Sequence, residues 1–186
     1  MKTRQDAIDL VDKYVKSESL RRHCLSVGYA MEGYAEHFKL SKEDVDKWFI
    51  CGVLHDFDWE IHPSLEQHPQ DGSKILRDEG YDGDIIVAIL GHGLHTGISR
   101  ESKMAKTLFA VDELSGLICA LAKVRSDNFA TMDANNVKKA MNKKGFASAI
   151  NREDIRLGIA EMGVNEDEHF MIVIRALDKH KKEIGF

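Results

Sequence analysis

The chain has 186 residues, with 26 Lys and Arg against 31 Asp and Glu, nine His, two Pro and three Cys. Its length fits one domain, and with 43% hydrophobic residues it can bury a core without disulfides; Cys24, Cys51 and Cys119 are widely spaced and form no CxxC pair, which argues against a disulfide scaffold or a cysteine zinc module. The net charge of −5 gives no basic footprint for DNA, and no run approaches the roughly 18 apolar residues of a membrane span.

The cysteine pattern favours a reducing cytoplasm as the expected location, and the opening segment MKTRQDAIDLVDKY is charged at helical spacing and lacks the apolar run of a signal peptide. Residues 3–16 place Ala7, Ile8, Val11 and Val15 on one helical stripe. Residues 19–38 do the same with Leu20, Val27, Ala30, Met31, Tyr34 and Phe38, and His23 falls inside that stripe. Ser41 followed by Asp44 resembles an N-cap, opening a helix with Val45, Trp48, Phe49, Gly52 and Val53 that runs to about Asp56. From Phe57 to His68 the chain reads as a loop containing Pro63. Pro69 then opens a helix through Glu79, because a missing N–H costs nothing in a first turn. Asp82 is expected to cap the next helix, through Leu90, with Gly91 and Gly93 ending it.

A long helix over about 103–125 carries Met104, Leu108, Val111, Leu114, Leu117, Ile118 and Leu121, with Asp112 in its middle. Segment 133–144 is short and basic. Segments 151–162 and 166–183 are amphipathic, with Asn151 and Asn165 as caps. No strand alternation and no internal repeat is visible, so the fold class is all-α.

Charge is uneven along this framework. Residues 43–84 hold 12 acidic and 3 basic side chains, a local −9, and also contain His55, His62 and His68. Such a segment attracts a cation, or it is a solvated helix face followed by a polar loop. There is no GxxxxGKS/T phosphate loop, no HExxH helix and no GxSxG elbow. What remains is His55-Asp56 at the end of an apolar helix, with His23 and Asp112 on apolar faces elsewhere. A carboxylate on such a face is seldom buried unless it is paired or binds a metal.

The order His23, His55-Asp56, Asp112 on successive helices resembles the HD superfamily of metal-dependent phosphohydrolases. LRRHCLSVGYAMEGYA is similar to that family's first-histidine helix, ICGVLHDFDWE to its HD helix, and AKTLFAVDELSGLI to its last-aspartate helix. His68, in His68-Pro69-Gln70-Asp71-Gly72, and His92, in Leu90-Gly91-His92, are similar to the further histidines of the two-metal (HDIG-type) branch. The likeness covers about residues 20–125. It implies one HD-type helical bundle over 1–186, with residues 126–186 as a C-terminal helical extension. The cyclic-dinucleotide branch is not matched: His55-Asp56-Phe57-Asp58-Trp59 lacks its lysine, and no Gly-Tyr-Pro is present.

The resemblance implies that His23, His55, Asp56 and Asp112 hold one divalent ion, and that Asp56, His68 and His92 hold a second. Imidazole and carboxylate donors suit Fe, Mn, Co, Zn or Mg. The implied activity is hydrolysis of a small phosphate ester, possibly a nucleotide, by a metal-bound hydroxide, with His55 and Asp56 at the reacting centre. The alternative is an inactive HD domain that senses a nucleotide. Asp58 is a candidate general base or a partner that orients a ligating histidine; the other reading is a solvated loop acid. His95 stands between ligand, phosphate donor and surface residue. Arg22, Lys103 and Lys106 are candidate phosphate-binding cations.

Plainer roles are expected elsewhere. Glu113 is read as a solvated or salt-bridged neighbour of Asp112. His37 lies about 14 residues, roughly 21 Å, along the helix from His23 and cannot share its ion. His62 competes with His68 as the loop ligand, and the flanks favour His68. His169 and His180 are read as solvated, Trp48 and Trp59 as packing residues. Lys138, Lys139, Lys143 and Lys144 either flank a pocket mouth or coat a short helix. Oligomeric state is left open.

Overall fold

A computed structural model describes residues 2–186. Its elements are α1 (Arg4–Tyr14), α2 (Glu18–His37), α3 (Lys42–Leu54), α4 (Gln70–Asp78), α5 (Gly83–Gly91), α6 (Lys103–Lys123), α7 (Ala134–Asn142), α8 (Arg152–Met162) and α9 (Glu166–Lys179), with a single 3-10 turn at Leu94–Thr96. The fold is all-α. Among the described residues no helix is long and apolar enough to cross a membrane.

Local chemistry starts most of these helices. The side chains of Ser17, Ser41, Ser102, Asn151 and Asn165 each accept from an otherwise unpaired first-turn amide. Thr3 with Asp6, and Asp133 with Asn136, form reciprocal capping boxes. Asp82 occupies the N-cap of α5, but its side chain caps nothing; it pairs with Lys47 at 2.9 Å. Pro69 is the N-cap of α4 and not its first helical residue. α3 stops at Leu54, so Asp56 lies in the turns that follow and not in the helix.

Helix α2 and helix α3 pack against each other most closely where two glycines meet. A Cβ on Gly52 would lie 2.7 Å from both the Gly28 Cα and the Val27 carbonyl oxygen. Only glycine permits that separation. His23 precedes Gly28 by five residues and His55 follows Gly52 by three, so the close crossing brings the two histidines together. α6 runs through the centre, with Leu108, Val111, Leu114, Leu117 and Ile118 all buried. α8 reaches α6 through Gly158, whose missing Cβ would sit 2.6 Å from the Ala110 Cα. α9 packs on α2 and α6, and its Phe170, Val173, Ile174 and Leu177 join the same core. Each such burial stabilises by about 1.5–3 kcal/mol.

Two histidines expected in solvent are not there. His169 is 0% exposed: Nε2–H donates to the Ala110 carbonyl at 3.2 Å, and Nδ1 accepts from the Tyr34 hydroxyl. It sits one turn before Val173 and two before Leu177, on the buried stripe, although charged residues flank it in sequence. His180 stacks on Tyr29 with ring centroids 3.9 Å apart and bonds to Glu32 at 2.9 Å.

Candidate metal centre

Four helix ends or faces deliver the polar groups. His55 follows the last residue of α3, where backbone carbonyls lack helical partners. Its Nδ1–H donates to the Gly52 carbonyl at 2.8 Å, which leaves an Nε2 lone pair directed away from the helix. His92 repeats the arrangement at the end of α5, donating from Nδ1 to the Ile89 carbonyl at 2.6 Å. His68 donates from Nδ1 to Asp58 at 2.8 Å. Each partner accepts a hydrogen bond, so all three rings carry the Nδ1 proton and turn Nε2 towards the centre, bare whenever the ring is neutral.

Those bare nitrogens converge. Nε2 of His68 and Nε2 of His92 are 3.3 Å apart, and the Asp56 Oδ1 lies 3.3 and 3.4 Å from them. On the other side, Nε2 of His55 lies 3.2 Å from Nε2 of His23 and 3.3 Å from the Asp56 Oδ2. Asp112 Oδ1, from the middle of α6, is 3.0 Å from His23 and 3.3 Å from His55. The His23–Asp56 contact is looser, at 3.8 Å. Asp56 therefore turns one oxygen to each of two donor groups, His23–His55–Asp56 and Asp56–His68–His92.

This donor set fits divalent ions. Lone pairs and carboxylate oxygens this close repel unless a cation lies between them. Bonds of about 2.1 Å place neighbouring donors roughly 3.0 Å apart in an octahedron and 3.4 Å apart in a tetrahedron. The observed separations fall in that interval, apart from the looser His23–Asp56 contact at 3.8 Å.

Electrostatics point the same way. Burial alone would lower the His68 pKa, but Asp56 and Asp58 outweigh it and raise the ring to about 9. Burial likewise opposes charge on His55, yet Asp56 and Asp112 push it well above the usual histidine range. Asp56 and Asp112 are driven below the usual carboxylate range against their own burial, mainly by His55. The centre holds positive charge strongly, as protons or as a metal.

Asp58 is 1% exposed and does not line the cavity. Its Oδ1 holds His68 and its Oδ2 accepts from the Gly72 N–H at 3.0 Å. Of the readings open for Asp58, the solvated loop acid is excluded by its burial, and its observed contact is with the His68 ring. The sequence His68-Pro69-Gln70-Asp71-Gly72 serves the same contact, since a Cβ at Gly72 would meet Asp58 at 2.3 Å.

Above the cluster lies a cavity of about 320 Å³, walled by Trp59, Leu65, Phe109 and Ile150 and by Glu113, Asp154 and His95. His95 Nε2–H donates to the His68 carbonyl at 2.8 Å. Its one neutral N–H is therefore already used, and only the imidazolium has a second donor to offer an anion. Glu113 is half-buried and accepts from the Asn151 N–H at 3.1 Å. Burial, then the nearby Asp112, pushes its carboxyl up to about 7.

The expected cations do not reach this cavity. Arg22 pairs with Glu18 and lines a separate cavity of about 180 Å³ behind His23. Lys103 lies over the Phe38 ring, 5.3 Å from its centroid. Lys106 does not line the cavity either. Lys138, Lys139 and Lys143 line a different surface cleft, with Lys138 paired to Asp167. His62 also lies outside, and His37 faces Glu168 at 3.9 Å.

Glu113, Asp154, Leu65 and Ile150 were not singled out from sequence as site residues. Each reads locally as a helix-surface acid or an ordinary apolar residue. Trp59, expected to pack, is 38% exposed and meets His68 edge-on at 4.9 Å.

A family model described as HD domain matches residues 20–117, just over half of the chain. No curated protein and no solved structure matches.

Proposed function

The chain belongs to the HD-domain family, and on that premise we propose that it is a metal-dependent phosphohydrolase acting on a small phosphate ester. The observation that carries this reading is the convergence of Nε2 of His68 and Nε2 of His92, 3.3 Å apart, on one oxygen of Asp56. In this reading the whole chain is one HD-type domain. His23, His55, Asp56 and Asp112 hold one divalent ion; Asp56, His68 and His92 hold another.

Two such ions supply Lewis acidity, which makes water more acidic and polarises phosphoryl oxygens. The chain's own residues do the rest. Asp56 sits between the two donor groups and fixes their spacing. Asp58 holds His68 in the tautomer with a free Nε2. Gly52 and Ile89 do the same for His55 and His92 through their carbonyls. Trp59, Leu65, Phe109 and Ile150 give the cavity an apolar wall. Water contributes the oxygen of the new bond to phosphorus, the ester P–O bond breaks, and the alcohol leaves with a proton.

No Ser or Cys nucleophile is needed. Cys24 and Cys51 are buried, and all three cysteines are free; this supports a cytoplasmic location. The complete donor set does not favour a decayed nucleotide sensor. The test compares wild type with His55→Ala and Asp56→Ala: both variants lose metal retention and phosphoester turnover together. Turnover that persists in either variant would sink the proposal.

A further inference from the structure

The cavity's outer half says which phosphate ester it takes, an inference that rests on the phosphohydrolase reading above. Four of the proposed ligands, His23, His55, His68 and His92, are neutral when they bind a metal, and Asp56 and Asp112 add two negative charges. Against two divalent ions this leaves a surplus of two positive charges, which one phosphate-monoester dianion cancels. With one ion the surplus disappears altogether. Glu113 and Asp154 then remain on the wall without an ion pair among the described residues, and burial holds both carboxyls above their usual range, so a cation beside them would favour their charged forms.

Among the described residues no Lys or Arg lines this cavity. The guanidinium that acts on Asp154 is Arg100, and its two-pronged contact with Glu161, at 2.7 and 2.5 Å, already neutralises it. A second phosphate, as in a nucleoside diphosphate, would face two carboxylates with no cation to receive it. An organic cation would instead neutralise them. Trp59 adds an aromatic surface able to face an ammonium group, and Leu65 and Ile150 suit the methylenes between ammonium and phosphate.

We propose that the substrate is a phosphate monoester carrying an ammonium group, selected by Glu113 and Asp154 on the cavity wall beside the metal ligands. The reaction remains hydrolysis: water oxygen joins phosphorus, the ester P–O bond breaks, and the amino alcohol leaves protonated at its hydroxyl.

The experiment uses the metal-replete full chain and a matched pair of probes, phosphocholine and its uncharged isostere 3,3-dimethylbutyl phosphate, with AMP and ADP alongside. The expected kcat/KM for phosphocholine exceeds that of the isostere by on the order of tenfold, and ADP is the poorest substrate. The ratio of the pair narrows towards one in Glu113→Gln with Asp154→Asn. Equal turnover of the matched pair, or a preference for AMP and ADP, overturns this proposal alone. No hydrolysis of any ester overturns the phosphohydrolase reading and this one with it.

Discussion

His68 and His92 face each other through their Nε2 atoms, 3.3 Å apart, because each ring's Nδ1 donates elsewhere: His68 to Asp58, His92 to the Ile89 carbonyl. Two ring nitrogens at that distance require something positive between them, a proton in the metal-free protein or a metal ion in its place. The fold spends a helix end, a buried carboxylate and a glycine on maintaining the arrangement.

Removing one of these rings has a specific consequence. His92→Ala is expected to lower bound metal from about two ions per chain to about one, sparing the ion held by His23, His55 and Asp112. Elemental analysis of the anaerobically purified variant reads this directly. Retention of both ions would remove His92 from the ligand set.

The orienting role of Asp58 is separable from direct ligation. Asp58→Asn keeps an acceptor for His68 but presents an amide to the Gly72 N–H, and metal affinity should fall roughly 10–100-fold. Gly72→Ala forces a Cβ to within 2.3 Å of the same carboxylate. It should cost about 1–3 kcal/mol of stability and weaken metal binding as well. Metal titrations by calorimetry, with urea unfolding alongside, would show whether these effects travel together.

Metal uptake should also release protons. In the metal-free protein His68, with its pKa near 9, is charged at neutral pH. A metal must expel that proton, so affinity rises with pH up to about 9 and falls below it. Calorimetry at pH 7 in two buffers of different ionisation enthalpy should give a net release. Enthalpies independent of the buffer would contradict the assignment.

How much of this was readable in advance depended on sequence distance. His23 and Asp112 were legible because each interrupts a 3.6-residue apolar stripe on its own helix, and the caps at Ser41, Asn151 and Asn165 are local motifs. Asp58 was ambiguous because its partners lie 10 and 14 residues further on, across a loop of no fixed period. The acidic wall was invisible: Glu113 is on α6 and Asp154 on α8, and they share a cavity only because Gly158 lets α8 approach Ala110. Lys103 and Lys106 misled for a metric reason. At 1.5 Å per residue they lie about 13 and 9 Å along the helix from Asp112.

His169 provides a test of the C-terminal packing. Burial lowers its pKa to about 4, only partly opposed by its bond to the Ala110 carbonyl. The unfolded chain takes up a proton near pH 6.5 and the folded one does not until about 4. Stability is therefore unaffected above pH 6.5 and is lost as pH falls from 6.5 to 4, by roughly 3 kcal/mol at most. His169→Gln keeps both hydrogen bonds and cannot titrate. Urea unfolding at pH 7 and pH 5 should show a smaller acid loss in the variant; equal losses would mean His169 is not buried neutral.

Phosphate-ester hydrolysis at a two-ion centre is read out by phosphate release from phenyl phosphate as metal is returned to the chelated protein. The expected result is no release without metal and a rise to a plateau at about two equivalents of Mn or a similar ion per chain. No release with any divalent ion, or release unaffected by chelation, would contradict it.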